Sequence, residues 1–195
     1  MRWTWLDDRP LVVAIAGPNG AGKTTFYQAH IAPSGLRLVN ADRIAKELAI
    51  DAYSAASIAG AIRRELVSAG ESFAFETVLS DPVCEKLAFL KACAAEGYTV
   101  ALLFVGLANP GLCAQRVAMR VSQGGHDVPA AKLRSRFPRT LRNLKSATSM
   151  LPRVIVFDNS DLARPYRLIC AFEHGVAVSK SQPLPAWFRQ LRCGR

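Results

Sequence analysis

The sequence predicts an α/β protein in which helices cover both faces of a mainly parallel sheet. Apolar runs rich in β-branched residues alternate with helical patterns, as in repeated βαβ units. The first of these runs leads directly into a glycine-rich turn, which is where open parallel sheets bind ligands. The 195 residues, 50% apolar and 21% charged, are typical of one folded unit and exclude an intrinsically disordered chain.

The alternation of apolar runs with helical patterns predicts the order of strands and helices along the chain. We expect core strands at Leu11–Ala16, Leu36–Asn40, Ser72–Glu76, Thr99–Leu107 and Val154–Asp158, with an additional edge strand at Tyr166–Phe172. Helices are expected between them at Thr24–His30, Asp42–Leu48, Ser57–Ala69 and Pro82–Ala95. The last helix has Asp81 as its cap, a proline at its first position and Gly97 as its stop signal. The sheet therefore has five to six strands.

A long basic stretch, 109–150, follows the fourth strand. Gly124-Gly125 and Pro129 interrupt it, which predicts two helices joined by a glycine loop and projecting from the sheet edge as a lid. Pro138 is expected to kink or restart the second helix. We interpret residues 1–195 as a single domain that contains this lid, with a tail from Ser181 that either wraps the surface or frays.

Charge is distributed unevenly along the chain. Residues 1–100 carry 10 Lys/Arg and 11 Asp/Glu, whereas residues 101–195 carry 15 and 4. The second half therefore suits an anionic ligand such as a phosphate, a nucleotide or a nucleic acid, or it is simply a basic surface. With no long apolar segment, no secretory leader pattern and five scattered cysteines, we expect a cytoplasmic protein with reduced thiols and no membrane contact.

Residues 17–24 match the phosphate-binding pattern G-x-x-x-x-G-K-[ST] at every fixed position. In such a loop the backbone N–H groups surround phosphate oxygens, the lysine reaches the β- and γ-phosphates, and the threonine hydroxyl ligates Mg²⁺. This predicts a P-loop NTPase three-layer sandwich that uses ATP and Mg²⁺. The nucleotide-binding residues are then Gly17, Pro18, Asn19, Gly20, Ala21, Gly22, Lys23, Thr24 and Thr25, with Thr24 as the metal ligand.

Missing motifs narrow the class of NTPase. The chain has no N/T-K-x-D motif of the kind that GTPases use to recognise guanine. It also lacks an L-S-G-G-Q signature followed by an acidic strand, which an ABC transporter ATPase needs. A small P-loop chain with a basic insert after its fourth strand is instead built like a kinase of small acceptors.

Three acidic residues stand at predicted strand ends, where chemistry collects in open parallel sheets. Asp42 is either the base that takes a proton from the acceptor hydroxyl or a helix cap. Glu76 either holds the acceptor or a magnesium-bound water, or forms a structural ion pair. Asp158, followed by Asn159, forms a turn or contacts the nucleotide.

Arginines of the predicted lid suit the charge that develops on a transferring phosphate. Arg116 and Arg120 share one helical face at a spacing of four residues, so we assign them to the γ-phosphate. His126 lies in the glycine loop and is either a phosphate contact or a surface residue. The other lid bases are interpreted as substrate contacts or solvated charges: Lys132, Arg134, Arg136, Arg139, Arg142 and Lys145.

Together the motifs resemble the zeta toxin family of P-loop kinases, in particular its short chromosomal branch described as predicted ABC-type ATPases. The resemblance runs from Leu11 to about Gly175 through segments 17–24, 40–42, 73–77, 116–121, 124–129 and 158–160. It implies phosphorylation of a hydroxyl of UDP-N-acetylglucosamine with ATP and Mg²⁺, and a protein antitoxin as partner. In this chain it implies Lys23 as a catalytic lysine, Asp42 as general base, Glu76 as the sugar-site acid, and Arg116 or Arg120 at the γ-phosphate.

The same resemblance places Asn40, Thr77 and His126 with Glu76 at the substrate. Val78 and Ser80 depart from the threonine and arginine that toxins carry there, and His126 replaces a toxin arginine, so another small hydroxyl compound remains open as acceptor. The basic half keeps a polynucleotide kinase as an alternative, but Phe137 is the lone aromatic residue among those bases, which argues against a nucleic-acid partner. A non-catalytic ATP switch is the alternative from another class.

Overall fold

A seven-stranded sheet forms the centre of the protein. The computed structural model describes residues 3–122 and 127–192. The strands are β1 Leu11–Ala16, β2 Arg37–Val39, β3 Phe73–Thr77, β4 Thr99–Gly106, β5 Arg153–Asp158, β6 Arg167–Glu173 and β7 Val176–Lys180. The helices are α1 Lys23–His30, α2 Ala41–Leu48, α3 Ala52–Ser68, α4 Glu85–Ala95, α5 Pro110–Ser122, α6 Ala130–Met150 and α7 Ala186–Arg192. Among these described residues, no helix is long and apolar enough to cross a bilayer.

The strand order is β2-β3-β1-β4-β5-β6-β7. The first five strands are parallel, and β6 and β7 continue the sheet in antiparallel pairing. The parallel strands therefore end at one edge of the sheet, where the loops after β1, β2, β3 and β4 meet. The expected α/β P-loop fold is confirmed, but the sheet has one strand more than the predicted five to six. The strand β7 is exposed along its whole length, so it lacks the alternation of burial that marks a strand in sequence.

Both faces of the sheet are covered, because every residue of β1 is buried. On one face, Val12 and Ala14 pack with residues of α3, α4, α6 and α7. On the other face, Leu11, Val13 and Ile15 pack with residues of α1 and α5. Helices on both sides of one sheet produce the predicted three layers.

Two predicted helix starts are wrong. The third helix begins at Ala52 rather than Ser57, because the Asp51 carboxylate accepts hydrogen bonds from the N–H groups of Tyr53 and Ser54 at 2.8 and 3.1 Å. The fourth begins at Glu85 rather than Pro82, because Cys84 in front of it adopts a left-handed conformation with a φ of 55°. The side-chain cap at Asp51 therefore sets the start of the third helix, and the left-handed backbone at Cys84 sets the start of the fourth.

The helix α6 is continuous through Pro138, so the predicted restart does not occur. Its second half also does not project from the sheet, because Leu144 and Ala147 are buried in the core. From this half, the hydroxyl of Thr140 donates to the Val78 carbonyl at 2.9 Å. The Asn143 amide donates to the carbonyls of Leu79 and Asp81 at 3.0 and 2.9 Å. The second half of α6 therefore fixes the loop that follows β3.

The C-terminal segment is part of the core. Trp187 and Phe188 of α7 are 3% and 2% exposed. The indole Nε1 of Trp187 donates to the Asp158 carboxylate at 3.2 Å. A Cβ at Gly106 would lie 2.3 Å from the indole ring, so the glycine at the end of β4 makes room for it. The tail packs against the sheet in its described part and does not fray.

We predict that Trp187→Ala lowers the free energy of unfolding by about 3–5 kcal/mol, because it leaves a cavity under β4 and removes the hydrogen bond to Asp158. Urea unfolding followed by circular dichroism measures this loss. The control is Val176→Ala on exposed β7, which should change stability by less than about 0.5 kcal/mol. Equal stability of Trp187→Ala and wild type would contradict the packing described for α7.

Candidate nucleotide and acceptor site

The glycine-rich loop leaves the centre of the sheet between β1 and α1. Its first residue, Gly17, has a φ of 144°, and a Cβ there would lie 2.1 Å from the Val105 carbonyl oxygen of β4. The Gly17 N–H donates to the Thr77 carbonyl of β3 at 3.2 Å. Only glycine fits at this position, and the loop is attached to both strands that flank β1.

Two further glycines keep side chains out of the loop. A Cβ at Gly20 would lie 3.1 Å from the Arg116 Cβ, and one at Gly22 would lie 2.8 Å from the Tyr166 hydroxyl oxygen. No described side chain caps the N-terminus of α1, which follows Gly22. Free N–H groups at a helix N-terminus favour a phosphate, so the loop fits the nucleotide predicted from its sequence.

A pair of residues on the β5–β6 connection holds this loop from outside. The buried amide of Asn159 donates to the Ala21 carbonyl at 2.8 Å, and the Tyr166 hydroxyl donates to the Gly22 carbonyl at 3.0 Å. The Tyr166 N–H donates to the Asn159 side-chain oxygen at 3.3 Å, which joins the two. We call Asn159 and Tyr166 the loop clasp. Sequence reasoning left Asn159 between two roles and missed Tyr166, which carries no motif.

Lys23 lies inside the loop at the start of α1. Its ammonium donates to the carbonyls of Gly17 and Pro18 at 3.1 and 3.2 Å. Burial lowers its pKa, and the negative charges of Glu76 and Asp42 partly oppose that effect. The lysine is therefore positioned by the loop and lies within the electrostatic reach of both predicted acids.

Glu76 ends β3 beside the loop. The Thr24 hydroxyl donates to its Oε2 at 3.2 Å. Burial raises the pKa of Glu76, whereas Lys23 and Thr24 lower it. Its other oxygen, Oε1, is buried and has no hydrogen-bond partner among the described residues. The nearby Asn40 side chain also lowers the pKa of Glu76. A hydroxyl and a carboxylate with an unused oxygen suit Mg²⁺, which prefers oxygen ligands and keeps several waters.

Asp42 lies on the first turn of α2 and is exposed. The cap of that helix is Asn40, whose side-chain oxygen accepts the Arg43 N–H at 3.1 Å. Asp42 is therefore not the helix cap, which was the structural alternative. Because its charge raises the pKa of both Lys23 and Glu76, the structure brings these three residues together.

Two predicted substrate residues have local structural roles. The Asn40 oxygen is used by the cap, and the Thr77 hydroxyl accepts the Leu79 N–H at 3.0 Å in the turn after β3. Asn40 lies near the Glu76 carboxylate, and Thr77 directly follows Glu76 in the sequence. Their contact with an acceptor stays a prediction, and His126 lies outside the described residues.

The two predicted arginines lie on α5 beside the loop. The Arg116 guanidinium donates to the Ser160 carbonyl at 3.3 Å, and its Cβ faces Gly20. The charge of Arg120 lowers the pKa of Lys23, which places it near the ammonium. Asp158, in contrast, accepts hydrogen bonds from Trp187 and Ser160 and lies 3.7 Å from Arg167. It has a structural role at the end of β5.

Comparison with known proteins agrees with this geometry. A family described as AAA domain matches residues 12–137, which include the glycine-rich loop, Asp42, Glu76 and both arginines of α5. The chain belongs to this AAA domain family. No curated protein matches the sequence.

Solved structures share the fold at low sequence identity. A chain of the AvrRxo1-ORF1:-ORF2 complex with ATP has a TM-score of 0.65 and 16% identity over 95% of this chain and 63% of its own length. A candidate kinase from Chloroflexus aurantiacus has a TM-score of 0.58 and 17% identity over 80% and 92%. A chain of the PezAT chromosomal toxin-antitoxin system of Streptococcus pneumoniae has a TM-score of 0.60 and 16% identity over 97% and 80%. This chain thus spans under two thirds of the AvrRxo1 complex chain.

The family match and the shared fold confirm the predicted α/β P-loop fold. At these identities the solved structures speak for the fold alone. The roles of individual side chains and the identity of the acceptor must be argued from this chain's own residues.

We predict that Tyr166→Phe weakens ATP binding about 3- to 10-fold, because it removes one hydrogen bond that holds the loop in its phosphate-binding shape. Isothermal titration calorimetry with Mg²⁺-ATP measures the affinity. Tyr53→Phe, on an exposed tyrosine of α3, serves as the matched control. Unchanged affinity in Tyr166→Phe would show that the clasp does not support nucleotide binding.

We predict that Glu76→Gln stabilises the nucleotide-free protein at neutral pH. Burial raises the pKa of Glu76 in the fold, so its contribution to stability is present at acidic pH and is lost as the pH rises through that raised value. The gain in melting temperature should therefore shrink as the pH falls. Thermal unfolding of the variant and the wild type between acidic and neutral pH tests this prediction, with Glu65→Gln at an exposed position as control. A Glu76→Gln variant that is less stable than the wild type at neutral pH would contradict it.

Proposed function

We propose that this protein is a kinase that uses ATP and Mg²⁺ to phosphorylate a hydroxyl of a nucleotide sugar such as UDP-N-acetylglucosamine. The observation that supports this most is the grouping of Lys23, Glu76 and Asp42 at the carboxyl edge of the sheet, with Asp42 released from helix capping by Asn40.

The glycine-rich loop would bind the phosphates of ATP through its backbone N–H groups, and Lys23 would hold the β- and γ-phosphates. Thr24 and Glu76 would hold Mg²⁺, which neutralises charge on the phosphates when it is bound. The loop clasp keeps the backbone in place during this step, because two carbonyls of the loop are already hydrogen-bonded from outside.

Asp42 would accept the proton of the acceptor hydroxyl as the oxygen attacks the γ-phosphorus. The leaving oxygen remains on ADP, where Lys23 stabilises its charge. Arg116, next to Gly20, and Arg120, near the Lys23 ammonium, would stabilise the charge on the transferring group. Each of these groups acts by position and charge, which is how phosphoryl transfer is mainly catalysed.

The acceptor would lie over Glu76 and the loop after β3, within reach of Asn40 and Thr77. Thr140 and Asn143 of α6 hold that loop through the carbonyls of Val78, Leu79 and Asp81. Because the loop carries Val78 and Ser80 rather than the residues of toxins, its side chains would decide which sugar nucleotide fits. We propose α5 and the first half of α6, up to Pro138, as the lid over this site.

A role as the toxin of a toxin–antitoxin pair is part of the proposal. It is supported by the complexes among the structures of this fold, AvrRxo1-ORF1:-ORF2 and PezAT. A protein antitoxin would then bind this chain, and the reaction would take place in the cytoplasm.

The test is incubation of the purified protein with Mg²⁺-ATP and a panel of UDP-sugars, with products identified by mass spectrometry. We predict one sugar nucleotide that gains a single phosphate. Asp42→Asn should reduce this transfer about 10²- to 10⁴-fold while ATP binding stays within about twofold, because the residue acts on the acceptor and not on the nucleotide. Lys23→Ala should lose both phosphate transfer and ATP binding.

The matched control is Glu47→Gln, an exposed carboxylate on the same helix that pairs with Arg43. Full transfer by Asp42→Asn would refute the base assignment. Phosphorylation of a 5′-hydroxyl oligonucleotide, together with oligonucleotide binding that weakens steeply as salt increases, would identify nucleic acid as the acceptor instead of a nucleotide sugar. ATP binding without any phosphorylated product across the panel would favour the regulatory switch.

A further inference from the structure

A pocket of about 250 Å³ lies beside the N-terminal segment of the protein. This segment contributes Trp3 and Trp5 to its lining, and strands β5 and β6 contribute Ile155, Leu168 and Ala171. The candidate nucleotide and acceptor site is built from other elements, namely the loops after β1, β2 and β3 and the helix α5. The pocket is therefore a separate feature of the molecule.

The charged end of the pocket lies at the far edge of the sheet from the glycine-rich loop. Arg153 is the first residue of β5, and it pairs in the sheet with Glu173, the last residue of β6. Because β5, β4 and β1 are parallel, Arg153 lies at the edge where these strands begin, and the loop lies where they end. A ligand that contacts Arg153 and Glu173 thus leaves the loop free for ATP.

The aromatic part of the lining is held in place by its neighbours. The ring of Trp3 lies 5.4 Å from that of Trp5, and the two planes differ by only 18°. Trp3 also lies 6.4 Å from the ring of Phe26 and 6.1 Å from that of Phe157, whereas Trp5 is 8% exposed. Ring pairs at these distances attract each other, so both indoles are positioned without a ligand. A preformed pocket binds its ligand with little loss of side-chain entropy.

Two opposite charges in the lining neutralise each other. The Nε of Arg153 lies 3.5 Å from Oε1 of Glu173, and the guanidinium of Arg153 lies 5.4 Å from the ring centre of Trp5. A charged ligand would lose water against apolar walls and would meet a counter-ion that is already paired. The pocket therefore favours an uncharged ligand.

We propose that this pocket binds a small uncharged aromatic compound, one or two fused rings in size, whose edge carries a hydrogen-bonding group. The ring would pack against the two indoles and the aliphatic side chains of β5 and β6. Its polar edge would face the exposed side of the pocket, where Ser179 offers a hydroxyl and Glu173 a carboxylate. This binding site is independent of the proposed kinase reaction.

Titration with indole, followed by NMR of the ¹⁵N-labelled protein, tests the proposal. Mg²⁺ and a non-hydrolysable ATP analogue are added first, so that the ring cannot occupy the nucleotide site. The indole N–H signals of Trp3 and Trp5 should shift and saturate, with a dissociation constant of about 0.1 to 1 mM for a ligand of about ten non-hydrogen atoms. Trp187 is an internal control, because it packs in the core cluster on the other face of the sheet and should not shift.

Two further probes test the chemical class. Cyclohexanol is uncharged but not aromatic, and indole-3-acetate is aromatic but carries a carboxylate. Each should bind at least about fivefold more weakly than indole, because one lacks the ring interactions and the other must bury a charge. Equal or tighter binding of cyclohexanol would overturn the aromatic assignment, and equal or tighter binding of indole-3-acetate would overturn the uncharged one.

Variants place the ligand in the pocket. Ser179→Phe fills the pocket from its exposed side, and Trp3→Ala removes part of the lining, so each should weaken indole binding about fivefold or more. Val178→Phe adds the same ring on the same strand outside the lining and should bind like wild type. Thermal unfolding shows which variants are folded. Wild-type affinity in folded Ser179→Phe and Trp3→Ala, or no saturable shift of Trp3 and Trp5 in wild type, would overturn the proposal.

Discussion

The contact between Gly17 and the Val105 carbonyl is the constraint on which the site depends. Because no side chain fits between them, the loop can pass directly over the centre of the sheet, and its N–H bonds to β3 while its Cα rests against β4. The end of β1 thereby fixes the start of α1. Lys23 and Thr24 follow within that first turn, so their distance from Glu76 at the end of β3 is set by strand spacing rather than by flexible loops.

The second support of the loop comes from far along the chain. Asn159 and Tyr166 bind loop carbonyls from the β5–β6 connection, and Asp158, just before them, accepts a hydrogen bond from Trp187 of the C-terminal helix. A path of contacts thus joins the end of the chain to the phosphate-binding loop near its beginning. The site is held by the whole fold, and not by the local motif alone.

Much of this could be predicted from sequence because the strongest signals are local. The pattern at 17–24 requires a particular turn, and the parallel strands require that Asp42 and Glu76 meet at one edge. The features that sequence reasoning missed depend on contacts between distant residues. Nothing near Tyr166 indicates that its hydroxyl reaches Gly22, and nothing near Trp187 indicates that Gly106 makes room for it. Nothing near Arg63 indicates that it is buried, because a charged residue in a helical pattern normally faces solvent.

The continuity of α6 has a mechanical consequence. Its C-terminal half is fixed in the core and to the loop after β3, while its N-terminal half carries basic residues that are largely exposed, Lys132 and Arg134 among them. Pro138 lies at the boundary and cannot donate the hydrogen bond that an interior residue gives to the preceding turn. Both halves of the helix pack on the core, the N-terminal half through Leu133 and Phe137, so bending of α6 would cost least at Pro138, where a backbone hydrogen bond is missing.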